Sequence, residues 1–450
     1  MKKTAVCIAL VGLLALGGQA IAEIGTIDDV PAATLMVPYF EVDLNDPNQN
    51  TTLFSINNAS AAPAIAHVVL WTDLSVPTLD FNVFLTGYDV YTVNLRDLFT
   101  TGAIPPSSAN NTAISPRGIF SLTTNPISGV GPGSPGCADQ LPIGNLPASV
   151  VAHLIAAHTG QGSGIFGGLC SGIDYGDNIA RGYVTVDNAN FCNLRFPTDC
   201  AAGYFIAGGL GDSNNINQLW GDYFYVNSAE NFAQGETLVH IEASGQGVTG
   251  GPGVLGAANY TFYRRYCAGG QDQREGLAST WAVRFLSGGA FTGGTDLIVW
   301  RDAKRTILPF SCALPFPAPY PLGANQIVIF DEQENPSVAP PCTVSPCTEL
   351  PTNAIPWETQ ALDVGPLSPD FPTPFPFGWL YLNLNSVVAG SQVPFEPLMQ
   401  NHVSVRMDAE GRFSVGFDGL QLDNVTDPAT ASDVILPVCD GAPDPPACGP

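Results

Sequence analysis

The sequence predicts an all-β protein: two or more β-sandwich modules of immunoglobulin-like type, long Gly- and Pro-rich loops, and one short helix. Gly and Pro number 48 and 39 among 450 residues, yet 45% of the chain is hydrophobic. Dense turn-formers therefore coexist with an apolar fraction too high for disorder. The apolar runs are short and rich in Thr, Val, Phe and Tyr, the residues that suit a pleated, half-buried surface.

Residues 52–57 alternate, with Phe54 and Ile56 on one face, which is the period of a half-buried strand. Residues 65–72 (IAHVVLWT) are nearly continuously apolar, which predicts a strand buried on both faces. Strands are expected at 81–85 and 88–95 around a turn at Thr86-Gly87. Further patterns lie at 182–187, 222–226, 237–242, 281–286, 296–301, 326–330, 402–407 and 412–417. Between the last two, Asp408-Ala409-Glu410-Gly411 is a loop whose glycine can take φ > 0. The helix is expected at 147–158, with Pro147 at its start and Gly160 just past its end. Its stripe of Val150, Val151, Leu154 and Ile155 should lie on a sheet.

The chain opens with Lys2 and Lys3, continues with an apolar run over 5–16, and reaches Ala20-Ile21-Ala22. A basic start, a short apolar run and a small-x-small exit describe an export signal over 1–22. The run is shorter than the ~20 residues of a membrane span, and no later segment reads as an integral span. The expected location is extracellular, cell-surface or periplasmic. Cys7 sits inside the apolar run, not at a cleavage site, which argues against a lipid anchor. Beyond the leader, the expected division is an N-terminal module (23–130), a Gly-rich middle region with the helix (131–270), a C-terminal module (271–435) and a disulfide-closed tail (436–450).

Removing Cys7 with the leader turns eleven cysteines into ten. An even count in an oxidising compartment predicts a disulfide framework. The half-cystines are Cys137, Cys170, Cys192, Cys200, Cys267, Cys312, Cys342, Cys347, Cys439 and Cys448. Short loops suggest Cys192 with Cys200, Cys342 with Cys347, and Cys439 with Cys448. The other four are then left to pair in chain order. No CxxC occurs, so no metal or cofactor is expected.

Lys and Arg number 15 against 40 Asp and Glu, a net charge of −25. Losing Lys2 and Lys3 makes the balance more negative and leaves Lys304 as the sole lysine. Such a surface repels phosphate backbones and anionic lipid, so nucleic acid is not an expected partner.

Residues 51–81 align without gaps to 280–310. Thr51, Ala61, Trp71, Asp73, Leu79 and Phe81 match Thr280, Ala290, Trp300, Asp302, Leu308 and Phe310. The identities gather around VVLWTD and LIVWRD, which suggests a duplicated module. Between Val37 and Phe99, a strand ending in Asn57-Asn58-Ala59-Ser60 precedes the long strand to Trp71. The Phe81 strand follows, then Gly87 and a strand closing on Asn94-Leu95-Arg96-Asp97-Leu98. That segment resembles the bacterial immunoglobulin-like modules of secreted proteins. The resemblance implies a sandwich and little about function.

Candidate chemistry is sparse. Gly168-Leu169-Cys170-Ser171-Gly172 has the spacing of a nucleophile elbow, but 173–178 does not read as the helix that motif needs. A half-cystine is the plain alternative. His153 and His158 are five apart and do not share a helix face as an HExxH pair would. His67 and His240 fall in strands, where hydrogen-bonded structural roles are usual; His402 also falls in one. Asp43-Leu44-Asn45-Asp46-Pro47-Asn48 has calcium-loop composition without the glycine and distal glutamate of an EF-hand. Trp220 is the candidate exposed tryptophan for sugar stacking, while Trp71 and Trp300 fall in buried strands. The Pro-aromatic stretches 314–321 and 369–379 read as extended segments whose aromatics pack over a sheet.

The expected function is a secreted or cell-surface structural or ligand-binding protein without enzymatic activity, its partner an extracellular ligand. The alternatives are a polysaccharide hydrolase with paired carboxylates and a calcium-stabilised adhesin. Intact-mass analysis of exported protein should show the chain beginning at Glu23, and alkylation before reduction should find no free thiol. A full-length mass or several reactive thiols would contradict this account.

Overall fold

The computed structural model describes residues 30–106, 145–192, 195–198, 203–206, 208–243, 274, 277–302, 308–313, 322, 327–337, 355–384 and 400–422. The leader, the stretch 314–321 and every cysteine except Cys170, Cys192 and Cys312 lie outside them. The chain runs β1 (Thr34–Asp43), β2 (Thr51–Asn58), β3 (Ala64–Thr72), β4 (Pro77–Leu85), β5 (Val90–Asn94) and helix α1 (Leu95–Thr101). Helix α2 (Ala148–His158) leads to β6 (Ile179–Ala189), β7 (Leu219–Trp220), β8 (Asp222–Asn227), β9 (Phe232–Thr237) and β10 (Val239–Ile241). Next come β11 (Thr280–Leu286), β12 (Gly294–Arg301), β13 (Ile327–Phe330), β14 (Pro336–Ser337) and β15 (Thr359–Gly365). The last are β16 (Phe371–Pro372), β17 (Phe377–Asn383), β18 (Asn401–Asp408), β19 (Ser414–Asp418) and β20 (Leu420–Gln421).

The described strands form four sheets. Sheet I is ordered β10-β1-β6-β3-β4 and sheet II β5-β2-β8-β9, with β7 added on β2. Sheet III is β16-β15-β12-β18-β19 and sheet IV β14-β13-β17-β11-β20. Among the described pairings only β15–β16 is parallel. The protein is thus mostly antiparallel β, as the composition predicts.

Sheets I and II share one core. Val37, Val68, Leu70 and Val184 meet Phe54, Ile56, Tyr223 and Tyr225 within it. Sheets III and IV share another, where Leu297, Val299 and Val405 meet Trp281, Val283 and Leu380. Strand alternation sends the intervening residues of sheet I to its opposite face. There Met36, Val69, Trp71, Tyr183, Val239 and Ile241 form a third cluster with Trp300 of β12. Ile298, two residues before Trp300, belongs to the core of sheets I and II. Strand β12 therefore feeds three apolar clusters, which is why it reads as buried on both faces.

Strand β1 escaped the sequence reading because Pro38 interrupts it. Proline has no N–H for a ladder. The β1–β6 register shifts between Val37 and Phe40, and this irregularity takes Pro38 out of the ladder. The Pro38 carbonyl instead accepts from Thr359 Oγ1 at 2.5 Å. A second correction concerns helices: two are present among the described residues, not one. The expected strand 88–95 ends at Asn94, whose side chain caps α1 by accepting from the Arg96 N–H. Gly102 closes that helix at φ +72°. Helix α2 forms as predicted, but its buried residues are His153, Leu154, Ala157 and His158. Val150 and Val151 are only half-buried.

Polar contacts join the two halves. The Arg406 guanidinium lies 2.6 Å from Glu41 Oε1 and 2.7 Å from Asp296 Oδ2. The Glu358 N–H donates to the Asp73 carbonyl at 3.1 Å, and Ser414 Oγ donates to the Ala233 carbonyl at 2.7 Å. Trp300→Ala should cost about 3–5 kcal/mol in urea unfolding monitored by circular dichroism, the usual loss for a wholly buried aromatic. A loss below about 1 kcal/mol would mean the third cluster carries little of the fold.

Candidate functional site

Cys170, the nucleophile position of the elbow-like motif, is bonded to Cys312, with Cα atoms 5.1 Å apart. It therefore has no thiol to offer, and the half-cystine reading holds. The pairing crosses 142 residues, so it corrects the chain-order expectation that would have joined Cys170 to Cys137. Backbone bonds between Cys170 and Phe310, 2.9 Å in each direction, flank the bridge. Cys192 is also disulfide-bonded.

All five histidines are buried. His67 Nδ1 lies 3.0 Å from Asn82 Oδ1 and Nε2 lies 3.0 Å from the Arg195 carbonyl. The Gly221 N–H donates to His240 Nε2 at 3.3 Å. His402 Nε2 lies 3.3 Å from Asp418 Oδ1. On α2, His158 Nδ1 donates to the Arg181 carbonyl at 2.8 Å and Nε2 accepts from Thr78 Oγ1 at 2.8 Å. Burial pushes the His158 imidazole down to about 3, so it is neutral at physiological pH. His153 pairs with Ser163 through Nδ1, while Nε2 donates to the Thr78 carbonyl at 3.2 Å. That is a base next to a hydroxyl, an arrangement no motif announced. Ser163 is 0% exposed, so the pair ties α2 to the following loop and presents no nucleophile to a substrate.

The acidic loop after β1 is built of side-chain-to-backbone turns. Asp43 Oδ1 accepts from the N–H groups of Asn45 and Asp46, at 2.7 and 3.1 Å, and Asp46 Oδ1 accepts from that of Asn48 at 2.8 Å. The Arg96 guanidinium donates to the carbonyls of Asp43, Gln49 and Asn50 at 2.6, 2.9 and 2.9 Å. Arg96 thus occupies the position a cation would take at these oxygens. The sequence hid this because Arg96 is 46 or more residues from its partners.

Two carboxylates meet at Arg406, but the guanidinium lies between Glu41 and Asp296, so they do not face each other across open space. Glu41 Oε2 also accepts from Tyr39 Oη at 3.2 Å. A groove beside α1, lined by Asn94, Asp97, Ile104, Pro105 and Asn145 among others, carries Asp97 as its one carboxylate among the described residues. Among the described residues no group of three or more His, Cys, Asp or Glu is arranged to hold a metal ion. Trp71, Trp281 and Trp300 are wholly buried. Trp220 is half-buried with its ring 5.8 Å from that of His240. Trp379 stacks on Phe330 at 4.0 Å. In the second Pro-aromatic stretch, Phe371 is buried on the edge strand β16 beside exposed Pro372.

Asp73, one of the repeat identities, is the most perturbed acid with a defined value. Burial raises its carboxyl to about 7, opposed by the Ile173 N–H that donates to it at 3.2 Å. The neighbouring Thr72 Oγ1 donates to the Ser171 carbonyl at 2.6 Å, so this acid and the residue before it are both fixed to the loop after α2.

Because folding lifts Asp73 from 3.8 to about 7, its contribution to stability is full below about pH 4 and is lost as pH rises through 7. Asp73→Asn removes that dependence. Guanidinium titrations across this range should show the variant gaining on the parent by up to about 4 kcal/mol toward alkaline pH. Parallel curves would refute the buried-acid account.

No protein-family model matches the chain, and neither the curated proteins nor the solved structures yield a match.

Proposed function

We propose that this chain is an exported, non-enzymatic structural or ligand-binding component of the cell surface or extracellular space, built from two β-sandwich modules of one duplicated type. The observation that carries this reading is the fate of the groups a nucleophile–base pair would use. All five histidines are buried, and the cysteine of the elbow-like motif is a half-cystine. Each such group is spent on holding elements together.

The duplication draws support from equivalent positions. Strands β2 and β3 lie in different sheets, as do β11 and β12. Trp71 and Trp300 are both wholly buried, and both contact the Tyr183 ring with centroids 5.7 Å apart. Export draws support from the basic, apolar and small-residue leader, and from the bridge between Cys170 and Cys312.

Fractionation should place the mature protein outside the cytoplasm. Purified protein should release no more product from polysaccharide, ester or peptide substrates than a heat-denatured control. Turnover that a carboxylate substitution abolishes would replace this reading with that of a hydrolase. A melting temperature that climbs with added calcium would favour a calcium-stabilised adhesin.

A further inference from the structure

We infer that the outward face of sheet II binds a neutral carbohydrate chain. This rests on the proposed ligand-binding role and names its ligand. Phe54, Ile56, Tyr91, Val93, Tyr223 and Tyr225 point into the core, so the residues between them point out.

One outward row runs across Leu53, Phe224 and Gly235. Phe224 is 44% exposed. A Cβ at Gly235 would come within 2.3 to 3.1 Å of three Phe224 ring atoms. The ring therefore lies down over the glycine backbone, with its other face toward solvent. A side chain at position 235 would push it upright. A flat, exposed ring is what the C–H face of a sugar packs against.

The adjacent row, about 7 Å along the strands, is polar. Thr92 pairs with Ser55, and Asp222 pairs with Thr237. Ser55 Oγ donates to Asp222 Oδ1 at 2.7 Å, and Asn57 Nδ2 donates to Ser55 Oγ at 3.2 Å. Ser55 is buried and holds Asn57 and Asp222 in place, while Thr92, Asn57 and Asp222 offer hydroxyl, amide and carboxylate atoms to sugar hydroxyls. The next row pairs Asn57 with exposed Val90 and half-buried Trp220. The face thus sets Phe224, Val90 and Trp220 beside polar side chains, as a polymer with C–H faces and hydroxyl rims requires.

Charge selects the ligand class. The outward positions of these rows contain no Lys or Arg, and Asp222 contributes a negative charge. Phosphate, sulfate or uronate groups would meet no counter-charge here. A largely apolar protein partner would meet Thr92, Asn57 and Asp222 in the middle of the face.

The test is affinity electrophoresis of the full mature chain in gels containing soluble β-glucan, xylan or mannan, with alginate and heparin as anionic comparators. At least one neutral polymer should retard the protein, and the anionic ones should not. Phe224→Ala should weaken that retardation about tenfold or more, Phe224→Tyr should restore it, and both variants should keep the parent melting temperature. Absence of retardation by every neutral polymer overturns the inference, as does retardation that Phe224→Ala leaves unchanged or that only the anionic polymers produce. Reducing ends are measured in the same mixtures. Their release would overturn the non-enzymatic reading while leaving sugar recognition standing, so the two failures are distinguishable.

Discussion

The two halves of this protein meet around an aromatic contact region. Tyr183 stacks flat on Trp71, with 2° between the planes, and meets Trp300 edge-on at 72°. Its hydroxyl donates to Ser75 Oγ at 2.8 Å, and Trp71 Nε1 donates to Thr185 Oγ1 at 2.9 Å. The polar ends of two of these rings are thereby satisfied while their faces are buried, which is the condition for placing such residues in a core. Trp300 joins Tyr204, Phe205 and Leu277 in covering Met36, Val69, Trp71, Val239 and Ile241 on the outer face of sheet I. A patch of that kind is not tolerated on an isolated unit. Strand β12 supplies the part of the cover that comes from sheets III and IV, and ties their position to sheet I.

The polar joints around this region give direction more than energy. Arg406 is mostly buried between Glu41 and Asp296, and the Coulomb gain of such a group is largely offset by desolvation. Its geometric demand is strict, because one guanidinium must reach carboxylates on β1 and β12 together. The contact from Thr359 to the Pro38 carbonyl works alike, since it uses a stretch of β1 that the register shift removes from regular pairing. The bridge between Cys170 and Cys312 adds a covalent tie from the loop after α2 to the segment following β12.

Sequence pattern and structure agree where one residue's neighbours decide its fate. Strands β2, β3, β12 and β18 are legible because alternation or continuous apolarity is a local property. Strand β1 is illegible because Pro38 suggests a break, and only the pairing with β6 shows that the sheet absorbs it. Strand β9 is hidden by Gly235, which is present to admit the Phe224 ring and weakens the strand signal. Helix α1 is short enough that its Asn94 cap reads as the end of a strand. Contacts between distant residues were out of reach altogether: Arg96 with the loop after β1, His153 with Ser163, Cys170 with Cys312. Sequence could name these residue types as candidates for chemistry, but only their partners show that they serve as structural ties.

If the third cluster makes one cooperative body of the four sheets, the intact chain should unfold in one step. Scanning calorimetry of the oxidised protein tests this most directly, because it compares the calorimetric with the van't Hoff enthalpy. A single peak with the two enthalpies equal is predicted. Two separable peaks, each carrying about half of the heat, would show that the sheet pairs fold independently and would contradict the account.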